Sequence, residues 1–167
     1  MSGLGNQAMV LGVSHLALAV ETLFHMRADM VKDGTERPMG RDNTPLGRVL
    51  LVDDEAEVLA ATTALLETRG WLVETGRSVS EALDLLRADA ARFTVLIVDY
   101  LLNDGSGAEL MARMKEQGIK LPTIVCSGLD NHPTLASDIP PPHFLRKPYR
   151  LHELETALSS AIESNRG

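Results

Sequence analysis

Apolar residues along this chain follow two rhythms, and the alternation between them outlines a fold. Short unbroken runs at Leu50-Leu51-Val52, Val95-Leu96-Ile97-Val98, Thr123-Ile124-Val125-Cys126 and His143-Phe144-Leu145-Arg146 have the length of strands. Their Val, Ile and Leu content suits strands covered on both faces. Between the runs the period lengthens. Val58, Leu59, Thr62, Leu65 and Leu66 form a helical stripe that Gly70 can close. Ser78 with Glu81 matches a capping box, and Ala82, Leu83, Leu86 and Ala90 supply the apolar face behind it. Leu110, Met111 and Met114 mark a further helix ending near Gly118, and Leu151, Leu154, Leu158, Ala161 and Ile162 mark the last one. Strands alternating with helices through short connections predict an α/β fold, a parallel doubly wound sheet with right-handed crossovers.

Each apolar run stops on a residue type that can do chemistry. The first ends on Asp53-Asp54-Glu55, the second on Asp99, the third on Ser127-Gly128 and the fourth on Lys147-Pro148. In open α/β sheets the chemistry collects at the carboxyl ends of the strands, so Asp53, Asp54 and Asp99 are expected to share one edge. Close carboxylates repel by about 4 kcal/mol per pair at an effective dielectric of about 20. A divalent cation removes that repulsion, and hard oxygen donors favour magnesium. Taken singly, the acids also fit a helix cap with an acidic first turn, and a lysine is ordinarily solvated. Their arrival in order at the ends of successive runs is what points to a shared site.

That order resembles the receiver domain of two-component response regulators, over residues Arg48 to Gly167. The resemblance implies a flavodoxin-like, five-stranded sheet of order 2-1-3-4-5. It makes Asp99 the phosphoacceptor, and it makes Asp53, Asp54, Asp99 and the backbone carbonyl of Leu101 the magnesium ligands. Ser127 becomes the switch hydroxyl, Phe144 the aromatic switch and Lys147 the phosphate-binding lysine, with a cis bond to Pro148. The phosphoryl donor would be a sensor histidine kinase or a histidine phosphotransfer protein, and the domain would signal rather than turn over substrate. The chemistry is coherent on physical grounds. A carboxylate attacking phosphorus forms an acyl phosphate, and the charge spread over the equatorial oxygens needs positive charge and hydrogen-bond donors. The Lys147 ammonium and the Ser127 hydroxyl can supply them. A rival class, the haloacid dehalogenase-type aspartyl phosphatases, requires Asp-x-Asp at the nucleophile; here the residues are Asp99-Tyr100-Leu101.

The chain departs from the family pattern in places. Leu102-Asn103 stands where Met-Pro is frequent, and Asp104-Gly105-Ser106-Gly107 then turns into the next helix. Apolar Leu101 and Leu129 flank the acceptor at positions that govern water access in receivers, which implies a long-lived acyl phosphate. The crossover from Leu129 to Pro142 contains Pro133 and Pro140-Pro141-Pro142, so its helix is expected to be short or replaced by a mobile loop. Family partners read the surface around that helix, which puts the usual output face in question.

Residues 1–47 read as a helical extension and linker ahead of a receiver domain at 48–167. Met9, Val13, Leu16, Val20, Leu23, Arg27 and Met30 fall on a heptad stripe, interrupted by arginine, on a helix spanning about residues 6–32. An apolar stripe has to pack on something, and a second copy of the chain is the expected occupant, giving a homodimer. Asp33 to Gly47, rich in Gly and Pro, reads as the linker. His15 is followed by Leu16 rather than the acid that follows a phosphorylated kinase histidine, so it reads as an ordinary polar-face residue.

Composition narrows the partners. The formal net charge is −7, and four basic against five acidic residues lie in 1–47, twelve against eighteen in 48–167. No cluster of Lys and Arg offers itself to a phosphate backbone, so nucleic acid is not an expected partner. The stretch Ala8–Val20 lacks a preceding basic region and is too short to span a bilayer, which argues against a signal peptide or membrane helix. A single cysteine, Cys126, excludes an internal disulfide and fits a cytoplasmic protein. Only residues 163–167 follow the last predicted helix, so no output module is expected there.

Overall fold

The computed structural model describes residue 21, residues 44–128 and residues 143–165. The described core is an α/β sandwich. Strands β1 (Gly47–Val52), β2 (Trp71–Gly76), β3 (Val95–Asp99), β4 (Thr123–Ser127) and β5 (His143–Arg146) form one five-stranded sheet of order β2-β1-β3-β4-β5. Every pairing in it is parallel. Helices α1 (Ala56–Thr68), α2 (Val79–Asp89), α3 (Gly107–Glu116) and α4 (Leu151–Ser164) cover its faces. The flavodoxin-like order 2-1-3-4-5 is the one that the family resemblance implied.

Alternation along the strands divides the core in two. Val49, Leu51, Val95, Ile97, Ile124, Cys126 and Leu145 point to the face closed by α1 and α4. Leu50, Val52, Leu96, Val98 and Val125 point to the face closed by α2 and α3. The central strands are therefore uniformly apolar because both of their faces are covered. β2 differs. Its residues Trp71-Leu72-Val73-Glu74-Thr75-Gly76 are mostly half-buried or exposed, with Leu72 42% exposed. An edge strand needs no continuous apolar run, which is why the sequence pattern did not single it out; the four runs that it did single out are β1, β3, β4 and β5 rather than consecutive strands.

The helix ends follow local chemistry. Gly70, at φ +85°, takes the left-handed turn that closes α1, donating its N–H to the Glu67 carbonyl at 3.0 Å. Ser78 caps α2 by accepting the Glu81 N–H at 3.0 Å, as the capping box predicted. Glu81 reaches back one residue further than the box requires, to the Arg77 N–H at 2.8 Å. Ser106 caps α3 in the same manner, accepting the Glu109 N–H at 3.1 Å. β1 begins at Gly47, one residue ahead of the expected domain boundary. Of the expected helix over residues 6–32 only Glu21 is described, and it is helical; His15 and the Leu129–Pro142 crossover lie outside the described residues. Among the described residues no helix is long and apolar enough to cross a membrane.

Candidate functional site

The parallel register brings the carboxyl ends of β1, β3, β4 and β5 to one edge. Asp53 follows β1 directly, and its N–H continues the ladder to the Gly76 carbonyl at 3.2 Å. Asp99 is the last residue of β3 and pairs with Cys126. Ser127 closes β4, and its carbonyl accepts the Lys147 N–H at 2.8 Å. Lys147 thereby follows β5 along the same edge, and its bond to Pro148 is cis.

The side chains converge. Lys147 Nζ donates to Asp99 Oδ2 at 2.7 Å and to Asp53 Oδ2 at 3.0 Å. Each of the three residues is only 3% exposed, so this is a buried ion triad rather than a surface contact. The other carboxylate oxygens accept from the backbone: Asp53 Oδ1 accepts the Glu55 N–H at 3.0 Å, and Asp99 Oδ1 the Leu101 N–H at 3.3 Å. Asp54 joins from the side. One oxygen from each of Asp53, Asp54 and Asp99 can lie within 4.8 Å of the others, and Asp54 Oδ1 is buried with no hydrogen-bond partner. A buried carboxylate oxygen in that condition is costly unless something positive completes it.

Electrostatics set the protonation states. Burial pushes the Asp53 carboxyl up, Lys147 pulls it down and Asp99 pushes it up again, leaving it above the usual carboxylate value. Burial alone would lower the Lys147 ammonium, but Asp99 and Asp53 outweigh it and hold its pKa above the ordinary lysine value. Lys147 is thus a fixed positive charge. Behind it, burial drives the Cys126 thiol up to about 12, so the cysteine stays a neutral core group and the donors at the site are oxygen alone. The donor chemistry fits magnesium.

The two candidate switch residues sit on neighbouring strands. Ser127 is buried at the end of β4, whereas Phe144 is half-buried, pairs with Val125 and packs on the α2–α3 side of the core. Leu101 is 39% exposed beside Asp99; Leu129 lies outside the described residues. Two residues had gone unremarked as parts of the site. Thr62, read from sequence as one position of an apolar stripe, is fully buried and hydrogen-bonds the Tyr149 hydroxyl, which also meets Cys126. That bond ties the segment after Lys147 to α1. Asp104, read as a turn residue, accepts hydrogen bonds from the first turn of α2. Asp104 is exposed, and the slight desolvation that pushes its carboxyl up is outweighed by the Val79 and Ser80 N–H groups and the Ser80 hydroxyl, which together pull it below the usual value.

Gly107 makes a close approach to the acid strand. A Cβ there would lie 3.0 Å from the Asp99 carbonyl oxygen and 3.4 Å from Val98 Cγ1. Gly107→Ala is expected to destabilise the fold by about 1–3 kcal/mol through overpacking against rigid backbone. Urea unfolding followed by circular dichroism measures this, and an unchanged midpoint would show that the backbone gives way freely.

The comparisons agree with this geometry. Residues 49–159 match the response regulator receiver domain. The transcriptional regulatory protein TrcR of Mycobacterium tuberculosis is 30% identical over 123 residues, covering 72% of this chain and 47% of that protein. The response regulator RppA of Synechocystis is 31% identical over 109 residues, covering 64% of this chain and 47% of that protein. A response regulator receiver domain from Clostridium thermocellum superposes with a TM-score of 0.61 at 23% identity, covering 72% of this chain and 98% of that structure. The chain belongs to the response regulator receiver family. Its receiver is a signalling domain of two-component systems. The chain spans about half the length of these curated relatives.

Proposed function

We propose that Asp99 accepts a phosphoryl group from a histidine kinase or histidine phosphotransfer protein, in a magnesium-dependent phosphorelay. The supporting observation is the buried Lys147 ammonium bridging Asp53 and Asp99 at the strand ends, in a chain of the receiver family. In the step, an Asp99 carboxylate oxygen forms a bond to phosphorus. The P–N bond of phosphohistidine breaks, and the imidazole nitrogen leaves with the electron pair. Lys147 stays protonated and lies near the oxygens on which charge accumulates. Ser127 would donate its hydroxyl to another phosphoryl oxygen, and Phe144 would follow the resulting shift of β4 and β5. Asp53, Asp54, Asp99 and the Leu101 carbonyl would hold magnesium. When bound, the ion withdraws charge from a phosphoryl oxygen and offsets repulsion among the acids.

The test is labelling with acetyl phosphate in the presence and absence of magnesium, followed by mass spectrometry. The expected result is a single hydroxylamine-labile phosphoryl group on Asp99 that requires the metal. Label on another residue, or none, rejects the assignment.

The heptad stripe of residues 6–32 supports a second part of the reading, self-association through that segment. Leu16→Glu with Leu23→Glu would place four like charges in a paired seam, and is expected to convert a dimer into a monomer without loss of acetyl phosphate labelling. Multi-angle light scattering decides this. A wild-type chain that is monomeric at micromolar concentration, or dimers that survive both charges, refute it.

A further inference from the structure

The first turn of α2 and Arg77, the residue ahead of its cap, together touch both loops that carry the acids. Asp104, in the loop after Asp99, accepts the Val79 N–H at 2.8 Å, the Ser80 N–H at 3.0 Å and the Ser80 hydroxyl at 3.0 Å. On the other side, the Arg77 guanidinium lies 3.5 Å from the Asp54 carbonyl oxygen. The approach is close: a Cβ on Gly105 would come within 3.1 Å of Val79 Cγ2. The loop so anchored folds back on itself. Leu101-Leu102 pairs antiparallel with Gly105-Ser106, and the Gly107 N–H reaches the Tyr100 carbonyl at 2.9 Å.

We propose that Asp104 is a positioning residue, a clamp that pins the Asp99 loop to α2 and so holds Asp99 and Leu101 in register with Asp53-Asp54 for the metal. This rests on the magnesium reading above. A two-residue antiparallel pair does not hold its geometry alone in water, so the loop depends on its outside anchor. With the anchor gone, metal binding has to order the loop as well, and affinity falls. The same helix supplies the control. Ser78 also caps α2, through the Glu81 N–H, but its side chain makes no hydrogen bond to either acid loop. Ser78→Ala therefore weakens the helix end without releasing the clamp.

The experiment uses the full chain, with magnesium binding followed by calorimetry and amide hydrogen exchange measured without metal. Asp104→Ala is expected to weaken magnesium binding by about tenfold, the lower end of what supporting residues around a metal contribute. It should also accelerate exchange at the Leu101 and Gly107 amides. Asp104→Asn keeps one acceptor oxygen and should fall between it and the wild type. Ser78→Ala should lower the melting temperature comparably while leaving both readouts unchanged. Unchanged affinity and exchange in Asp104→Ala overturn the proposal, as does a Ser78→Ala variant that matches it in both. A wild-type chain that takes up no magnesium overturns the metal reading, and with it the purpose assigned to Asp104; the metal-free exchange data then report separately on whether the clamp exists.

Discussion

Asp99→Asn is expected to abolish acetyl phosphate labelling while leaving a folded, cooperatively unfolding protein. The amide nitrogen cannot serve as the nucleophilic oxygen, and the remaining carbonyl oxygen is too weak a nucleophile, so the loss should be complete to the limit of detection. Folding should survive because Lys147 keeps its partner at 3.0 Å, Asp53 Oδ2, and because the substitution removes one of the crowded negative charges. Magnesium affinity should fall for the same reason. The measurement is hydroxylamine-labile label per chain, with thermal unfolding run in parallel. Undiminished label in Asp99→Asn would move the acceptor to another residue.

Lys147→Ala is expected to have the largest effect on stability. The lysine contributes the positive charge that directly contacts both Asp53 and Asp99, and removing it strands two buried carboxylates. Breaking a buried pair in this way costs about 3–5 kcal/mol. The loss should depend on pH in a definite direction. Lys147 is what pulls the Asp53 carboxyl down against burial and Asp99; without it, the folded-state pKa rises further above the unfolded value. A folded state that holds its proton more tightly than the unfolded one loses stability as pH rises through the gap between the two values. The variant should therefore be more stable at about pH 5 than at about pH 7.5, and magnesium should restore part of the loss by replacing the missing charge. Urea unfolding at both values, with and without the metal, tests this. A Lys147→Ala protein as stable as the wild type at neutral pH would show that water reaches the triad and screens it.

Much of the architecture was legible because its signals are local. A strand covered on both faces must be apolar at every position, as Leu50-Leu51-Val52 and Val95-Leu96-Ile97-Val98 are, and a carboxylate directly after such a run has to lie at a strand end. The caps at Ser78 and Gly70 were equally legible, since each acts on its own helix through neighbouring backbone groups. β2 was not, because this edge strand is mostly half-buried or exposed and carries no unbroken apolar run.

What the sequence by itself determined is the class of fold, the sites of four of the five strand carboxyl ends and the residue types standing there. Only the tertiary structure decided how those residues pair. Lys147 is 94 residues from Asp53 and 48 from Asp99, and its identity alone is that of a solvated surface group; closure of the sheet buries it between two acids and makes it a fixed charge. Thr62 likewise passed for an apolar helix position until packing set it against Tyr149. Asp104, 24 residues from Ser80, reads as a turn residue because hydrogen bonding within a turn is the only use that its neighbours in sequence offer it. In each case the deciding contact joins segments far apart in the chain, and such contacts form only when the hydrophobic layers have brought those segments together.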